Sequence, residues 1–244
     1  MKKLLLISNS TNAGEAYLGW PRPFIQEFAL KHGVKDILFI PYAGIGINPH
    51  DEMEAYNLYE KKVQSVFSEL GLNIHSIHHE SNPTAAVVKT DCVAVGGGNT
   101  WYLVHKMQQL GLIQAIGNRA EEGMPYMGWS AGSNVACPTL RTTNDMPIIE
   151  PASFNCMNLI PFQINPHYLD ANPEGHGGET RQQRIEEFLV VNPTIAVAGL
   201  REASLLEVTG DHMLLKGYKP LRLFRFGQEP QELESGSDLS FLLA

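Results

Sequence analysis

The 244-residue chain is 43% hydrophobic and 18% charged, the proportions of a globular protein and not of a solvated, disordered one. A formal net charge of −8 excludes the basic face that nucleic-acid binding needs, and it repels anionic substrates unless a local cation catches them. The apolar run after Met1-Lys2-Lys3 is shorter than a signal-peptide core, no stretch approaches a membrane span, and Cys92, Cys137 and Cys156 are too widely spaced for a disulfide framework or a zinc site, so a cytoplasmic protein with no membrane contact is expected.

Short apolar runs read as strands at 4–8, 36–40, 73–77, 91–95, 124–129, 162–165 and 194–200. Helical patterns fall between them at 23–32, 51–70, 100–110, 131–137 and 180–191. Alternation of this kind implies right-handed βαβ units, hence an α/β fold of three αβα layers on a mainly parallel sheet. Towards the end, runs at 204–208, 212–215 and 221–226, separated by turn residues, read as an antiparallel β-meander. One hydrolytic domain over 1–244 is expected, with the polar, acidic stretch 228–240 as a surface excursion or loose tail.

In such sheets chemistry collects where strands end and helices begin. Gly128-Trp129-Ser130-Ala131-Gly132 follows a strand and precedes a helix, the setting in which G-x-S-x-G exposes a nucleophilic serine on a tight turn. The plainer alternative is that Ser130 only caps the helix. Gly96-Gly97-Gly98-Asn99-Thr100 ends another strand. It fits neither the dinucleotide fingerprint nor a Walker loop, but it suits an oxyanion hole made by the N–H groups of Gly98 and Ala131. Tight packing alone is the competing explanation for that loop.

A serine nucleophile needs a base, and His167, just past a strand and stiffened by Pro166, is the first choice; His176, in a glycine-rich loop, is the second. The base needs an orienting carboxylate, for which Asp145 and Glu202 both remain open. Arg181 shares the inward stripe of Ile185, Phe188 and Leu189 and sits in a first helical turn, where the helix dipole disfavours a cation. It suits a carboxylate-binding fork, or a buried ion pair with an acid such as Glu179. The run His75-Ser76-Ile77-His78-His79-Glu80 matches no common zinc spacing.

Together with Leu5-Leu6-Ile7-Ser8-Asn9-Ser10-Thr11, Cys137-Pro138-Thr139, Arg141-Thr142-Thr143-Asn144-Asp145-Met146-Pro147-Ile148, Gln163-Ile164-Asn165-Pro166-His167 and Gly178-Glu179-Thr180-Arg181, these motifs make the chain resemble the peptidase E family of α-aspartyl dipeptidases. The resemblance implies a serine peptidase on a class I glutamine amidotransferase-like, flavodoxin-like fold, cleaving small peptide substrates of the Asp-X type without metal or cofactor. It implies Ser130 as nucleophile, His167 as base, Gly98 and Ala131 as the oxyanion pair and Arg181 near the substrate acid. Asp145 and Glu202 both lie at matching positions. Glu174 or Glu179 is expected to receive the substrate's amino group. Gly177 departs from relatives that carry a lysine there. A monomer or homodimer is expected. A cyanophycinase-like serine hydrolase, a non-enzymatic small-ligand module and a metallohydrolase built on His75, His78 and His79 are the competing readings.

Overall fold

The computed structural model describes residues 1–172, 175 and 177–244. The parallel core consists of β1 (Lys3–Ile7), β2 (Asp36–Ile40), β3 (Asn73–Ser76), β4 (Cys92–Val95) and β5 (Tyr126–Trp129). Together with β8 (Ser204–Thr209) and β9 (His212–Gly217) they form a sheet in the order β3-β2-β4-β5-β1-β8-β9, in which β8 runs antiparallel to both neighbours. Ile7 pairs with Trp129 and Val95 with Gly128, so the serine turn and the glycine loop leave adjacent strands at the same edge.

Continuous apolar runs in these strands are explained by burial on both faces. On one face Leu5, Ile7, Phe39, Met127 and Trp129 pack under α1 (Arg22–His32) and α2 (Glu52–Glu69), through Ile25, Phe28, Val63 and Phe67. The other face carries Leu4, Leu6, Ile40, Val95 and Tyr126, covered by α3 (Pro83–Lys89), α4 (Thr100–Gln109) and α5 (Leu112–Glu121).

That second face also receives a smaller mixed sheet, in the order β11-β10-β7-β6, made from β6 (Gln163–Tyr168), β7 (Val197–Arg201), β10 (Leu221–Phe224) and β11 (Gln231–Leu233). Ile164, Ala198, Leu200 and Leu223 bring it into the same core. Its outer side is closed by α7 (Arg181–Val191), where Ile185 and Leu189 meet Tyr168, Val197 and Phe224.

The expected elements differ from those observed in instructive ways. The three C-terminal strands are antiparallel to their neighbours but divide between sheets: β8 and β9 form a hairpin, whereas β10 crosses to pair with β7 and β11. The helix expected at 131–137 is the single turn α6 (Ala131–Asn134); beyond it Ala136 and Cys137 donate three residues back, to Ser133 O and Asn134 O, and Pro138 prevents any longer continuation. The stretch 228–240 runs over the surface but is not loose. It contributes β11, Gly236 donates its N–H to Leu215 at 2.7 Å, and Leu239 is buried. Among the described residues no helix is long and apolar enough to cross a membrane.

Candidate active site

Ser130 lies between β5 and α6 with φ 54° and ψ −113°, a conformation that non-glycine residues rarely adopt. The turn is held on all sides. Ser130 N–H donates to Ile7 O at 3.0 Å, Ser133 Oγ lies 2.7 Å from Ile7 O and 2.8 Å from Gly128 O with one hydroxyl proton between the two carbonyls, and Tyr126 Oη donates to Gly132 O. Both motif glycines are sterically required, since a Cβ on Gly128 would run into the Gly132 carbonyl and one on Gly132 into the Val95 carbonyl. The backbone strain is stored where it pushes the hydroxyl out of the sheet.

His167 is reached across the two sheets. Its Nε2 lies 3.0 Å from Ser130 Oγ, and its Nδ1 lies 2.7 Å from Glu202 Oε1. A carboxylate can only accept, so Nδ1 carries the hydrogen and Nε2 is left to accept from the serine hydroxyl. His167 also has a positive φ, 53°, at the irregularity between Pro166 and Tyr168 in the β6–β7 pairing. The sequence places the strand end at 165; the strand instead continues to Tyr168, and the bulge turns the imidazole out towards Ser130.

Ser8 and Asn9, which have no candidate role in the sequence motifs, hold His167 and the turn that carries Glu202. Buried Ser8 accepts the His167 N–H at 3.0 Å while donating to Leu200 O at 2.7 Å. Buried Asn9 accepts the N–H of Ala203, the residue after Glu202, at 2.9 Å, in a turn where Ala203 has φ 64°. Two small polar residues directly after a central strand, buried yet polar, were the available signal.

Asp145 is hydrogen-bonded elsewhere, not to His167. Its Oδ2 accepts from the Thr100 N–H at 2.8 Å, Thr100 Oγ1 at 2.6 Å and Thr143 Oγ1 at 3.0 Å, anchoring the loop to the first turn of α4. An anion at a helix N-terminus is favourably placed, which explains a carboxylate in that loop without any catalytic task.

Ser130 and His167 open onto a cavity of about 580 Å³ that Gly97, Gly98 and Asp145 also line. Gly98 has φ 136°, and any side chain there would strike the Ala43 carbonyl, so glycine is required where the loop meets the cavity. Ala131 begins α6, and its N–H belongs to the first turn, which has no intrahelical acceptor.

Arg181 does not line that cavity. It lies in a neighbouring one of about 240 Å³ with Asn144, Phe188 and Asp145, the residue common to both. Burial and the charge of Arg184 lower its pKa, and Asp145 acts in the opposite sense. Glu179 lines neither cavity and pairs with Arg184 at 3.6 Å. Glu174 and His176 lie outside the described residues.

His75 stands apart on β3, but His78 and His79 gather with Glu60 of α2. Each is already engaged: His79 Nε2 is 2.7 Å from Glu60 Oε2, Ser76 N–H donates to Glu60 Oε1, and His78 lies between Ser76 and Asn57. Burial and the charge of His79 lower the His78 pKa against the pull of Glu60.

The sequence profile of Peptidase family S51 matches residues 4–216. A Nostoc protein named Peptidase E is 48% identical over 242 residues, spanning 99% of this chain and 97% of its own. Peptidase E of Salmonella newport is 43% identical over 234 residues, covering 96% and 98%. The structure of a peptidase from an acI-B1 actinobacterium superposes with a TM-score of 0.70 at 20% identity, covering 99% and 97%, a likeness of fold alone. Profile and full-length relatives agree, and the chain belongs to peptidase family S51.

Proposed function

We propose that the chain is a serine-type dipeptidase hydrolysing dipeptides with an N-terminal aspartate. The observation that carries the mechanism is the continuous hydrogen-bonded line Ser130–His167–Glu202, with contacts of 3.0 and 2.7 Å. Glu202, and not Asp145, is the carboxylate that orients the imidazole. The Asp-X preference rests on the likeness to proteins named Peptidase E over nearly the whole chain.

In this reading His167 Nε2 takes the hydroxyl proton as Ser130 Oγ attacks the carbonyl carbon of the N-terminal aspartyl residue. The oxyanion that develops is met by the Gly98 and Ala131 N–H groups, each worth about 3 kcal/mol when well aimed. The tetrahedral centre collapses, the C–N bond breaks, and the imidazolium delivers its proton to the leaving amine. Water then attacks the acyl-enzyme with His167 again as base, releasing aspartate and restoring the serine. Arg181 receives the aspartyl β-carboxylate from the adjoining cavity. The steps call on no metal or cofactor, so turnover should persist in EDTA.

A panel of Asp-X, Glu-X, Asn-X and β-aspartyl dipeptides tests the reading. Asp-Leu should be cleaved by the wild type and not by Ser130→Ala, whose circular dichroism and melting should remain those of the folded protein. Unchanged turnover in Ser130→Ala would remove the serine mechanism, and equal rates for Asp-X and Asn-X would remove the charge preference.

A further inference from the structure

An Asp-X dipeptide brings two carboxylates to a chain of net charge −8, so each needs a local cation. Arg181 stands in the side cavity, beyond Asp145. Among the described residues, the lysine or arginine that lines the cavity of Ser130 and His167 is Lys62. It follows Tyr59 by one turn of α2, so both side chains rise from the helix face turned towards the cavity.

Lys62 is solvent-exposed, and its ammonium approaches the cavity wall over an aromatic ring. Lys62 Nζ sits 4.1 Å from the centroid of the Tyr17 ring, the Tyr17 and Tyr59 hydroxyls are 3.4 Å apart, and Tyr59 donates to Gly97 O at 3.0 Å. A chain of contacts thus runs from the cation through Tyr17 and Tyr59 to the glycine loop beside Ser130. Burial raises the pKa of both phenols, so they stay neutral near pH 7 and do not cancel its charge. Lys2, Lys31, Lys106 and Lys216 each pair with a glutamate, whereas Lys62 has no carboxylate within ion-pair distance among the described residues.

We propose that Lys62 binds the terminal carboxylate of the leaving residue and so sets the preference for dipeptides over longer chains. The inference rests on the Asp-X reading above: with the β-carboxylate assigned to Arg181, the other substrate anion is the one left for the cavity's own cation. A tripeptide would present a neutral amide at this place, forfeiting the charge-assisted contact.

The test compares Asp-Leu with Asp-Leu-amide on wild type, Lys62→Met and Lys62→Arg. In the wild type, amidation should cost about tenfold or more in kcat/KM, the worth of one hydrogen-bonded charge pair. Lys62→Met should cost Asp-Leu a similar factor, mainly through KM, and should add little to the deficit of the amide. Lys62→Arg should restore part of the loss. Equal losses on both substrates, or an Asp-over-Asn preference that collapses in Lys62→Met, would overturn the assignment of this carboxylate. A wild type that cleaves neither substrate would instead bring down the dipeptidase reading, and this inference with it.

Discussion

At the scale of single residues, Ser130 and His167 share an unusual property: both hold left-handed backbone conformations that glycine alone adopts without strain. Such strain persists only where the surroundings over-determine it, and here the surroundings are hydrogen bonds and glycines that leave no alternative. The two candidate carboxylates, Glu202 and Asp145, sit in different environments. Glu202 is about half exposed with one short contact to the imidazole, whereas Asp145 has three donors on a single oxygen. Glu202→Gln should therefore reduce kcat on Asp-Leu by up to about 10⁴-fold with little change in melting temperature, as loss of the orienting anion does in other triads. Asp145→Ala should show the opposite weighting in a thermal melt, losing about 1–3 kcal/mol because the α4 terminus and Thr143 are left without their acceptor. A Glu202→Gln enzyme with full activity would return the orienting role to another group.

At the scale of elements, what matters is how two separate sheets deliver one constellation. The serine comes from the end of β5, the histidine from the end of β6 and Glu202 from the turn after β7; β1 holds the serine through Ile7 O, and the loop after it holds the other two through Ser8 and Asn9. Ser8→Ala should leave the His167 N–H buried without an acceptor, costing about 1–3 kcal/mol of stability. It should also lower kcat more than it raises KM, because it frees the imidazole without touching substrate. Denaturant midpoints and steady-state kinetics on the same preparations would check both parts. The five parallel strands were legible because burial on both faces leaves unmistakable apolar runs, and Ser130 was legible because its turn tolerates so few residues on either side. Other features were hidden for physical reasons. Only Leu110 and Gly111, the latter at φ 68°, separate α4 from α5, so two helical patterns run together, and α3 is only seven residues long. The departure of β10 to the second sheet depends on partner choice, which apolar alternation does not encode. The different hydrogen-bond partners of Asp145 and Glu202 depend on loops that meet residues far off in sequence, which no local motif encodes.

At the scale of the whole molecule, the added strands β8 and β9 must be fastened to the helical layer, and a charged cluster does this. Glu207 of β8 is 5% exposed and meets Lys31 of α1 at 2.6 Å and Lys216 of β9 at 2.7 Å, while Lys216 also reaches Glu27 of α1 at 3.0 Å. Burial pushes the Glu207 pKa up, but hydrogen bonds from Lys216 and Lys31 outweigh it and hold the group below its ordinary 4.5. Between that depressed value and 4.5 the unfolded chain binds more protons than the folded one, so stability there rises with pH. The contribution is complete above the ordinary value and is lost as pH falls through the folded one. Asp170, held low chiefly by hydrogen bonds from Arg201, contributes with the same sign, although its exposure to solvent weakens it. Urea midpoints measured from neutral pH downwards should thus decline below about 4.5, and Glu207→Gln should flatten that decline without abolishing it. A variant whose acid limb superposed on the wild type would mean that this junction is held by its packing and not by its charges.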